Sequence, residues 1–366
     1  MHVYIHVPFC ARRCSYCDFA IAVRRTTPSD AFVRAVLDEW ASWQDHPVWV
    51  DTPPIATVYF GGGTPSRLNG EALGAILRRI RSDRVLGQDA EVTLEANPED
   101  VSAAAVEAWQ AIGINRISLG AQSFDPAVLT WMHRTHTHEQ TGDAVRALRR
   151  AGFGNLSLDL IFGAPRHLGR DWSRDLEEAL ALEPTHVSLY GLTVEDRTPL
   201  SRWIVQGRCR APDDDRAAEE YLRAHDRLEA RGFEHYEVSN ASLPGYRARH
   251  NSAYWDGADY LGLGPSAHSY VGDERRWNVR EWVAYERTVR GGGSVVAGRE
   301  RVNGSRQRLE RLYLGLRTNR GVRAGLLPAS LIERWRGSGW AIERDGRVCL
   351  TSEGWLRLDA LIAAVA

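Results

Sequence analysis

Residues 3–19 read VYIHVPFCARRCSYCDF and place three cysteines, Cys10, Cys14 and Cys17, directly after a short β-type run. The C-x3-C-x2-C spacing puts three thiols on one tight loop, close enough to bind three corners of a cubic [4Fe–4S] cluster. The fourth iron would then lack a protein ligand and could bind a small molecule. The alternatives are three unrelated buried thiols or a structural zinc, which normally has four protein ligands. The spacing favours the cluster.

The remaining cysteines and the hydropathy of the chain indicate a reducing compartment. Two more cysteines occur in the 366 residues, Cys209 and Cys349, and they stand alone and far apart. An odd, low cysteine count without a signal peptide predicts a cytoplasmic protein rather than a disulfide framework. No apolar run is long enough to cross a bilayer, so we expect no transmembrane segment and leave peripheral membrane contact open.

Charge and composition exclude some kinds of function. The formal net charge is −1, so the chain has no global basic field and we expect no nucleic-acid partner. The sequence contains no lysine, and all 46 basic residues are therefore arginine. This excludes lysine Schiff-base chemistry and pyridoxal phosphate bound through lysine.

Short apolar runs alternate with amphipathic stretches through the first half of the chain. Strands are predicted at residues 3–7, 56–60, 91–95, 116–120, 156–162 and 186–191. Helices are predicted at residues 30–43, 71–81, 103–112, 139–150 and 171–182. Six β units separated by helices indicate a parallel α/β array, and periodicity alone allows either a doubly wound sheet or a partial barrel.

The positions of polar and flexible residues favour the barrel. The cysteine loop follows the first predicted strand, and a GGGTPS segment at residues 61–66 follows the second. Glu95 ends the third strand, Gln122 follows the fourth, and Asp159 lies inside the fifth. Because β/α barrels carry their active sites at the carboxyl ends of the strands, we expect these groups to meet in one site.

The character of the chain changes after about residue 195. A charged helix is predicted at residues 212–232, followed by a loop-rich, aromatic region and by a flexible link or exposed turn at Gly291-Gly292-Gly293. The tail is predicted to contain helices at 306–317, 328–336 and 353–364, with a hairpin around Asp345-Gly346. We therefore predict a core barrel at 1–235, a connecting region at 236–300, and a smaller α+β, winged-helix-like C-terminal domain at 301–366, structural or partner-facing.

The predicted barrel rim offers groups that S-adenosylmethionine would require at an open iron. The glycines at 61–63 leave backbone N–H and C=O groups that a methionyl ammonium and carboxylate can approach. Glu95 could accept from the ribose hydroxyls or the ammonium, and Gln122 could bond a ribose hydroxyl. Arg134 could pair with the carboxylate, and Asp159 could bind a hydroxyl or the amino group. Taken singly, the glycines are as well explained by a turn, and the charged residues by structural ion pairs.

Several motifs together resemble the radical-SAM coproporphyrinogen-dehydrogenase family, over most of the chain. These motifs are YIHVPFC at 4–10, CSYCDF at 14–19, GGGTPS at 61–66, EANP at 95–98, GAQSF at 120–124 and DLIFG at 159–163. The resemblance implies a partial (β/α)6 barrel that holds a [4Fe–4S] cluster and S-adenosylmethionine. By matching position it implies that S-adenosylmethionine contacts Tyr4, Gly62, Gly63, Thr64, Glu95, Gln122, Arg134 and Asp159.

Three features separate two subgroups of that family. The coproporphyrinogen III oxidases carry a further cysteine two residues after the third, where this chain has Phe19, and a long extension before the cluster, where Cys10 stands almost at the start. The heme-chaperone subgroup has phenylalanine at that position and an HNxxYW motif, which occurs here as residues 250–255. The resemblance thus implies a heme chaperone.

His250 is the candidate heme ligand in this motif. Imidazole is a common axial ligand of heme iron, and Arg247 and Arg249 just upstream could pair with propionates. The alternative is a buried structural histidine in an aromatic corner. The expected partners are heme, recipient hemoproteins and an electron donor for the cluster. The competing function is an enzyme, either radical-SAM decarboxylation of coproporphyrinogen III or a related radical reaction.

Overall fold

The computed structural model describes residues 1–50 and 52–365, which contain seventeen strands and fourteen α-helices. The strands are β1 (His2–Val7), β2 (Phe9–Cys10), β3 (Ala22–Val23), β4 (Ile55–Gly62), β5 (Leu86–Ala96), β6 (Arg116–Gln122), β7 (Asn155–Phe162), β8 (His186–Gly191), β9 (Glu234–Glu237), β10 (Asn240–Ser242), β11 (Tyr260–Leu263), β12 (His268–Val271), β13 (Glu274–Asn278), β14 (Val296–Arg301), β15 (Val322–Arg323), β16 (Ala341–Arg344) and β17 (Arg347–Leu350). The helices are α1 (Ser29–Ser42), α2 (Gly70–Asp83), α3 (Ala103–Ala111), α4 (Pro126–Trp131), α5 (His138–Arg150), α6 (Trp172–Ala181), α7 (Pro199–Val205), α8 (Asp214–Ala230), α9 (Arg249–Trp255), α10 (Trp282–Arg290), α11 (Gly304–Leu316), α12 (Ala329–Gly337), α13 (Ser352–Trp355) and α14 (Leu358–Ala363).

Six strands form the parallel sheet that carries the predicted β/α array. They lie side by side in chain order, β1-β4-β5-β6-β7-β8, and each pair is parallel. A doubly wound sheet would reverse its order at a switch point, and this sheet does not. The architecture is a partial (β/α)6 barrel. All six predicted strands and all five predicted helices between them are confirmed.

The barrel is open because its two outer strands pair with other segments. β11 joins β1 in parallel and leads into the antiparallel strands β12, β13 and β14, while β8 continues into β10 and β9. The prediction of a loop-rich region at 236–300 is therefore wrong. Four strands lie wholly within this region and two lie partly within it, and all six belong to one twelve-stranded sheet. Short, half-exposed strands such as β14 carry too weak an apolar pattern to be recognised.

The tail is close to its prediction, with one correction. α11, α12 and the β16–β17 hairpin occur where they were expected, and β15 completes a three-stranded sheet. The predicted helix at 353–364 is instead two short helices, α13 and α14, separated at Arg357, which leaves helical geometry with φ −115° and ψ 9°. The winged-helix description of this part and the boundaries at 235 and 300 stay predictions. No helix in the described residues is long and apolar enough to span a membrane.

A buried carboxylate on α1 ties the barrel to the strands that extend it. Glu39 accepts hydrogen bonds from the Gly264 backbone N–H at 2.7 Å, Asn278 Nδ2 at 2.6 Å and the Tyr285 hydroxyl at 2.5 Å. Burial raises the pKa of Glu39 to about 7. One side chain thus accepts from three buried donors, of which Asn278 Nδ2 also donates to the Gly264 carbonyl at 2.9 Å.

We expect Glu39→Ala to lower the free energy of unfolding by about 3 kcal/mol, because three buried donors lose their acceptor. Chemical denaturation followed by circular dichroism measures this change. Asp38→Ala is the matched control, since Asp38 is the exposed neighbour on the same helix. Equal stability of the two variants would contradict the anchoring role of Glu39.

Candidate functional site

The cysteine loop is closed by local backbone pairing just beyond β1. β2 pairs in parallel with β3, placing Cys10 opposite Val23, so the intervening residues form one compact loop. The Ser15 backbone N–H donates to the Met132 carbonyl at 3.2 Å, which fixes the loop against the end of α4. Cys10, Cys14 and Cys17 all line one cavity of about 460 Å³ at the carboxyl ends of the barrel strands.

The chemistry of these thiols fits a shared metal cluster. Thr64 Oγ1 lies 3.4 Å from Cys10 Sγ, and Arg134 Nη1 lies 3.8 Å from Cys14 Sγ, so donors already face two of the sulfurs. Burial raises the pKa of Cys17 to about 12 and raises that of Cys10, and a bound metal would supply the charge that favours the thiolates. Within the described residues, no three His, Cys, Asp or Glu side chains form a group that could hold one metal ion. A cubic cluster instead spreads its thiolates over separate irons.

Two glycines let the end of β4 pack against the end of β1, from which the cysteine loop leaves. Gly62 has φ +110°, and a Cβ there would lie 2.5 Å from Cε1 of His6. At Gly63 a Cβ would lie 2.7 Å from the carbonyl carbon of Pro8. The glycines were predicted to expose backbone to a cofactor, and the structure adds that only glycine allows this approach of the two chain segments.

Glu95 and Asp159 are half-buried carboxylates held by neutral donors. Glu95 accepts from the Tyr59 hydroxyl at 2.8 Å and from the Gly62 N–H at 2.9 Å, and burial raises its pKa to about 7. Asp159 accepts from Ser118 Oγ at 3.0 Å, and burial raises its pKa as well. A cation in the cavity would stabilise both carboxylates in their charged forms.

Arg134 and Gln122 complete the side of the cavity near β6. Arg134 Nη2 donates to Asn97 Oδ1 at 2.7 Å and to the Gly120 carbonyl at 3.0 Å. Its Nε is buried and has no hydrogen-bond partner within the described part of the chain, so it could still bond a carboxylate. Gln122 has φ 67°, which is unusual for a residue other than glycine and occurs often at functional sites.

Most of the predicted S-adenosylmethionine residues thus meet in one place. Seven of them line the cavity of about 460 Å³ together with the three cysteines: Gly62, Gly63, Thr64, Glu95, Gln122, Arg134 and Asp159. Tyr4 does not line it. Its hydroxyl lies 3.1 Å from His6 Nδ1, and its ring borders a second cavity of about 890 Å³.

His250 is buried behind the second cavity and does not line it. Its Nδ1 lies 2.6 Å from Thr57 Oγ1, its Nε2 lies 2.7 Å from the Tyr254 hydroxyl, and its ring stacks on Tyr59 at 5.0 Å. Burial holds its pKa well below the usual value. Heme ligation by His250 stays a prediction, and it would require Tyr254 to release Nε2.

The two arginines upstream of His250 also lie away from the cavities. Arg247 pairs with Glu234 at 2.9 Å, and the Arg249 guanidinium donates to the Asp89 carbonyl. Neither lines the cavity of 460 Å³ or that of 890 Å³. Pairing of Arg247 and Arg249 with propionates stays a prediction, and it would require heme to bind outside these two cavities.

The residues that hold the carboxylates and the arginine were not predicted from the sequence. Tyr59 lies two residues before Gly61 on β4, and Ser118 lies two residues before Gly120 on β6. Each side chain therefore points to the same side of its strand as the glycine at the rim. Asn97 belongs to a motif in which only Glu95 was assigned a role. The two-residue spacing from the rim glycines was the signal in the sequence that could have identified Tyr59 and Ser118. Polar residues inside a buried parallel strand need a hydrogen-bond partner, and the residues at the rim are the ones within reach.

Comparisons with known proteins identify the family of the chain. Residues 4–179 match the model of the Radical SAM superfamily. The chain is 39% identical to the heme chaperone HemW of Mycobacterium tuberculosis, covering 98% of this chain and 93% of that relative. It is 33% identical to the heme chaperone HemW of Bacillus subtilis, covering 87% and 84%.

A solved structure shares the fold at low sequence identity. Coproporphyrinogen III oxidase (HemN) from Escherichia coli, described as a radical SAM enzyme, superposes with a TM-score of 0.81 at 20% identity, covering 99% of this chain and 89% of that chain. That likeness concerns the fold alone. The identities to the two chaperones extend over most of each chain, and the protein therefore belongs to the HemW family of radical SAM proteins.

Proposed function

We propose that the protein is a heme chaperone that binds heme and delivers it to recipient hemoproteins in the cytoplasm, while carrying a [4Fe–4S] cluster and S-adenosylmethionine. The observation that supports this proposal most strongly is that two cavities are adjacent and share part of their walls. The cavity that holds the cysteines and the cavity of about 890 Å³ share Asp18, Phe19, Gly62 and Glu95 in their walls. A bound macrocycle and the cluster site would thus be neighbours.

Cys10, Cys14 and Cys17 would hold the cluster, because they are the three thiols of the smaller cavity. A cluster held by three thiolates keeps one iron open, to which S-adenosylmethionine can bind through its amino and carboxylate groups. Thr64 and Arg134 would hydrogen-bond two of the sulfurs, as they do here. Such bonds stabilise the thiolate form. An external electron donor would set the redox state of the cluster.

The cavity also has complementary charges for S-adenosylmethionine. Its cationic centre would face Glu95 and Asp159, and its carboxylate would face Arg134, whose Nε has no partner within the described residues. Gly62, Gly63 and Thr64 would offer backbone along one wall, and Gln122 a side-chain amide along another. Tyr4 would act on this site indirectly, since it lines only the larger cavity and its ring packs beside Gly61, where a Cβ would lie 2.9 Å from Tyr4 Cε2.

Phe19 supports heme handling over porphyrinogen decarboxylation. It stands two residues after Cys17, is 55% exposed, and borders both cavities. A phenyl ring has no group that could ligate a metal or transfer a proton, but it offers an apolar face to a flat ligand.

We expect Cys10→Ala, Cys14→Ala and Cys17→Ala each to abolish stable iron and sulfide binding after anaerobic reconstitution, because two thiolates leave two irons without protein ligands. Iron and sulfide analysis with the visible spectrum measures this. Cys209→Ala is the control, since Cys209 packs in a separate apolar cluster with Leu192 and Leu200. Zinc without iron in the reconstituted wild-type protein would contradict the cluster.

The affinity for S-adenosylmethionine should rise about tenfold from pH 6 to pH 8, because the cationic ligand prefers ionised Glu95, whose pKa of about 7 means it is mostly protonated at pH 6. Anaerobic titration calorimetry of the reconstituted protein measures the affinity. Glu95→Gln keeps an acceptor for the Gly62 N–H but cannot ionise, so its affinity should be lower and should change much less with pH. An unaltered pH slope in this variant would exclude Glu95 as the titrating group.

The purified protein should bind heme, transfer it to an apo-hemoprotein, and leave coproporphyrinogen III unchanged in the presence of cluster, reductant and S-adenosylmethionine. Heme transfer is followed by the absorption spectrum of the acceptor, and decarboxylation by chromatography of the porphyrins. Conversion to protoporphyrinogen would assign the protein to the enzymes instead. Absence of both heme binding and conversion would reject the chaperone function as well.

A further inference from the structure

The cavity of about 890 Å³ lies between the cysteine loop, the β12–β13 hairpin and α11. Asp18, Phe19 and Ala20 line it from the first side, His268 and Arg275 from the second, and Arg311 and Leu314 from the third. Its volume falls in the range of about 300–1,000 Å³ that is typical of ligand pockets. Segments from the N-terminal third and the C-terminal third of the chain therefore build this cavity together.

Aromatic side chains form a continuous wall of the cavity. The rings of Tyr254 and Tyr260 lie 4.6 Å apart, Tyr260 lies 6.4 Å from Tyr270, and Tyr254 lies 6.4 Å from Trp255. All four residues line the cavity, and the exposed ring of Phe19 lines it as well. A broad aromatic wall suits a large, flat, apolar ligand.

His268 is an imidazole in this cavity that the protein itself does not use. Side chains alternate along β12, so the buried Ser269 points inward, where its Oγ accepts from the Gly262 N–H at 2.9 Å, while His268 and Tyr270 share the opposite face. The His268 ring is exposed and stacks on Trp277 at 5.9 Å. Neither ring nitrogen has a hydrogen-bond partner within residues 1–50 and 52–365.

His268 differs from His250 in having ring nitrogens without hydrogen-bond partners in the described residues, which binding to an iron requires. Both nitrogens of His250 are engaged by Thr57 and Tyr254, and the ring is 1% exposed. A neutral imidazole with a free nitrogen is what heme iron binds. The pKa of His268 is lowered by partial burial, which keeps the ring neutral and competent as a ligand near pH 7.

Several arginines line the same cavity and differ in whether the protein already pairs them. Arg275 pairs with Glu300 and Glu310, Arg320 pairs with Asp256, and Arg347 donates to the Gly321 carbonyl, so these are held in place by the protein. Arg311 on α11 is exposed, lines the cavity, and makes no hydrogen bond or ion pair within the described residues. A guanidinium without a partner matches a propionate carboxylate.

We propose that heme occupies this cavity, with His268 as an axial ligand of its iron and Arg311 pairing with a propionate. The assignment rests on the proposed heme binding and names the residues that perform it. The macrocycle lies along the aromatic wall of Tyr254, Trp255, Tyr260 and Tyr270, with Phe19 between it and the cluster site.

The test compares ferric heme with metal-free protoporphyrin on the full-length reconstituted protein. His268→Ala should shift the Soret band and weaken heme binding by at least about tenfold, while protoporphyrin binding stays unchanged, because only heme has an iron to lose its ligand. Arg311→Ala should weaken both porphyrins, since both carry propionates. His167→Ala, which removes an exposed imidazole outside the cavity, is the matched control and should match wild type. Circular dichroism checks that each variant is folded.

The possible results distinguish an error in the assigned iron ligand from an error in the proposed function. If wild-type protein binds no heme, the proposed function itself is wrong. If wild type binds heme but His268→Ala has the same Soret band and affinity, or loses both porphyrins equally, His268 is not the iron ligand. A selective loss of heme in His250→Ala with His268→Ala unchanged would return the ligand role to His250 and leave the chaperone function intact.

Discussion

The pairing of β1 with β4 is the constraint on which the site depends. Its register places Val7 opposite Gly62, and the Gly63 N–H donates to the Val7 carbonyl at 2.8 Å just beyond the strands. The cysteine loop leaves β1 at this point, so it must pack against the glycine segment. A side chain at Gly62 or Gly63 would collide with His6 or Pro8 and separate the two segments. One pair of parallel strands thus brings Cys10 and Thr64 together.

The cavity next to that pair contains charged groups that the fold alone would not favour. The half-buried carboxylates of Glu95 and Asp159 accept from hydroxyl donors rather than from guanidinium groups, and desolvation raises the pKa of each. Arg134 keeps its Nε buried without an acceptor in the described structure. Burying such groups costs free energy unless a partner compensates them, and perturbed groups of this kind cluster at functional sites. A zwitterionic, cationic ligand would compensate all three.

The extension of the barrel sheet explains how a second cavity comes to border the first. β11 pairs with β1, the strand that also leads into the cysteine loop, so the β12–β13 hairpin is held close to Phe19 and Asp18. Glu39 strengthens this link by bonding Gly264, Asn278 and Tyr285 from the opposite side. The C-terminal helix α11 then completes the wall. The proximity of the two cavities follows from sheet order rather than from any single motif.

The sequence by itself determined the local features of this protein, and tertiary structure decided the rest. Cysteine spacing, the alternation of strands with helices, and polar residues at successive strand ends are short-range patterns, so the partial barrel and the cavity lined by Cys10, Glu95 and Arg134 could be predicted from them. Residues 260–301 could not, because short edge strands are identified by their neighbours in a sheet rather than by their own pattern. His250 and His268 also differ in whether the protein engages their rings, and this difference likewise depends on tertiary contacts. His250 is held by Thr57, 193 residues away, whereas His268 lies on an open strand face. Burial and hydrogen bonding are set by contacts distant in sequence, and they decide which imidazole is free to bind a metal.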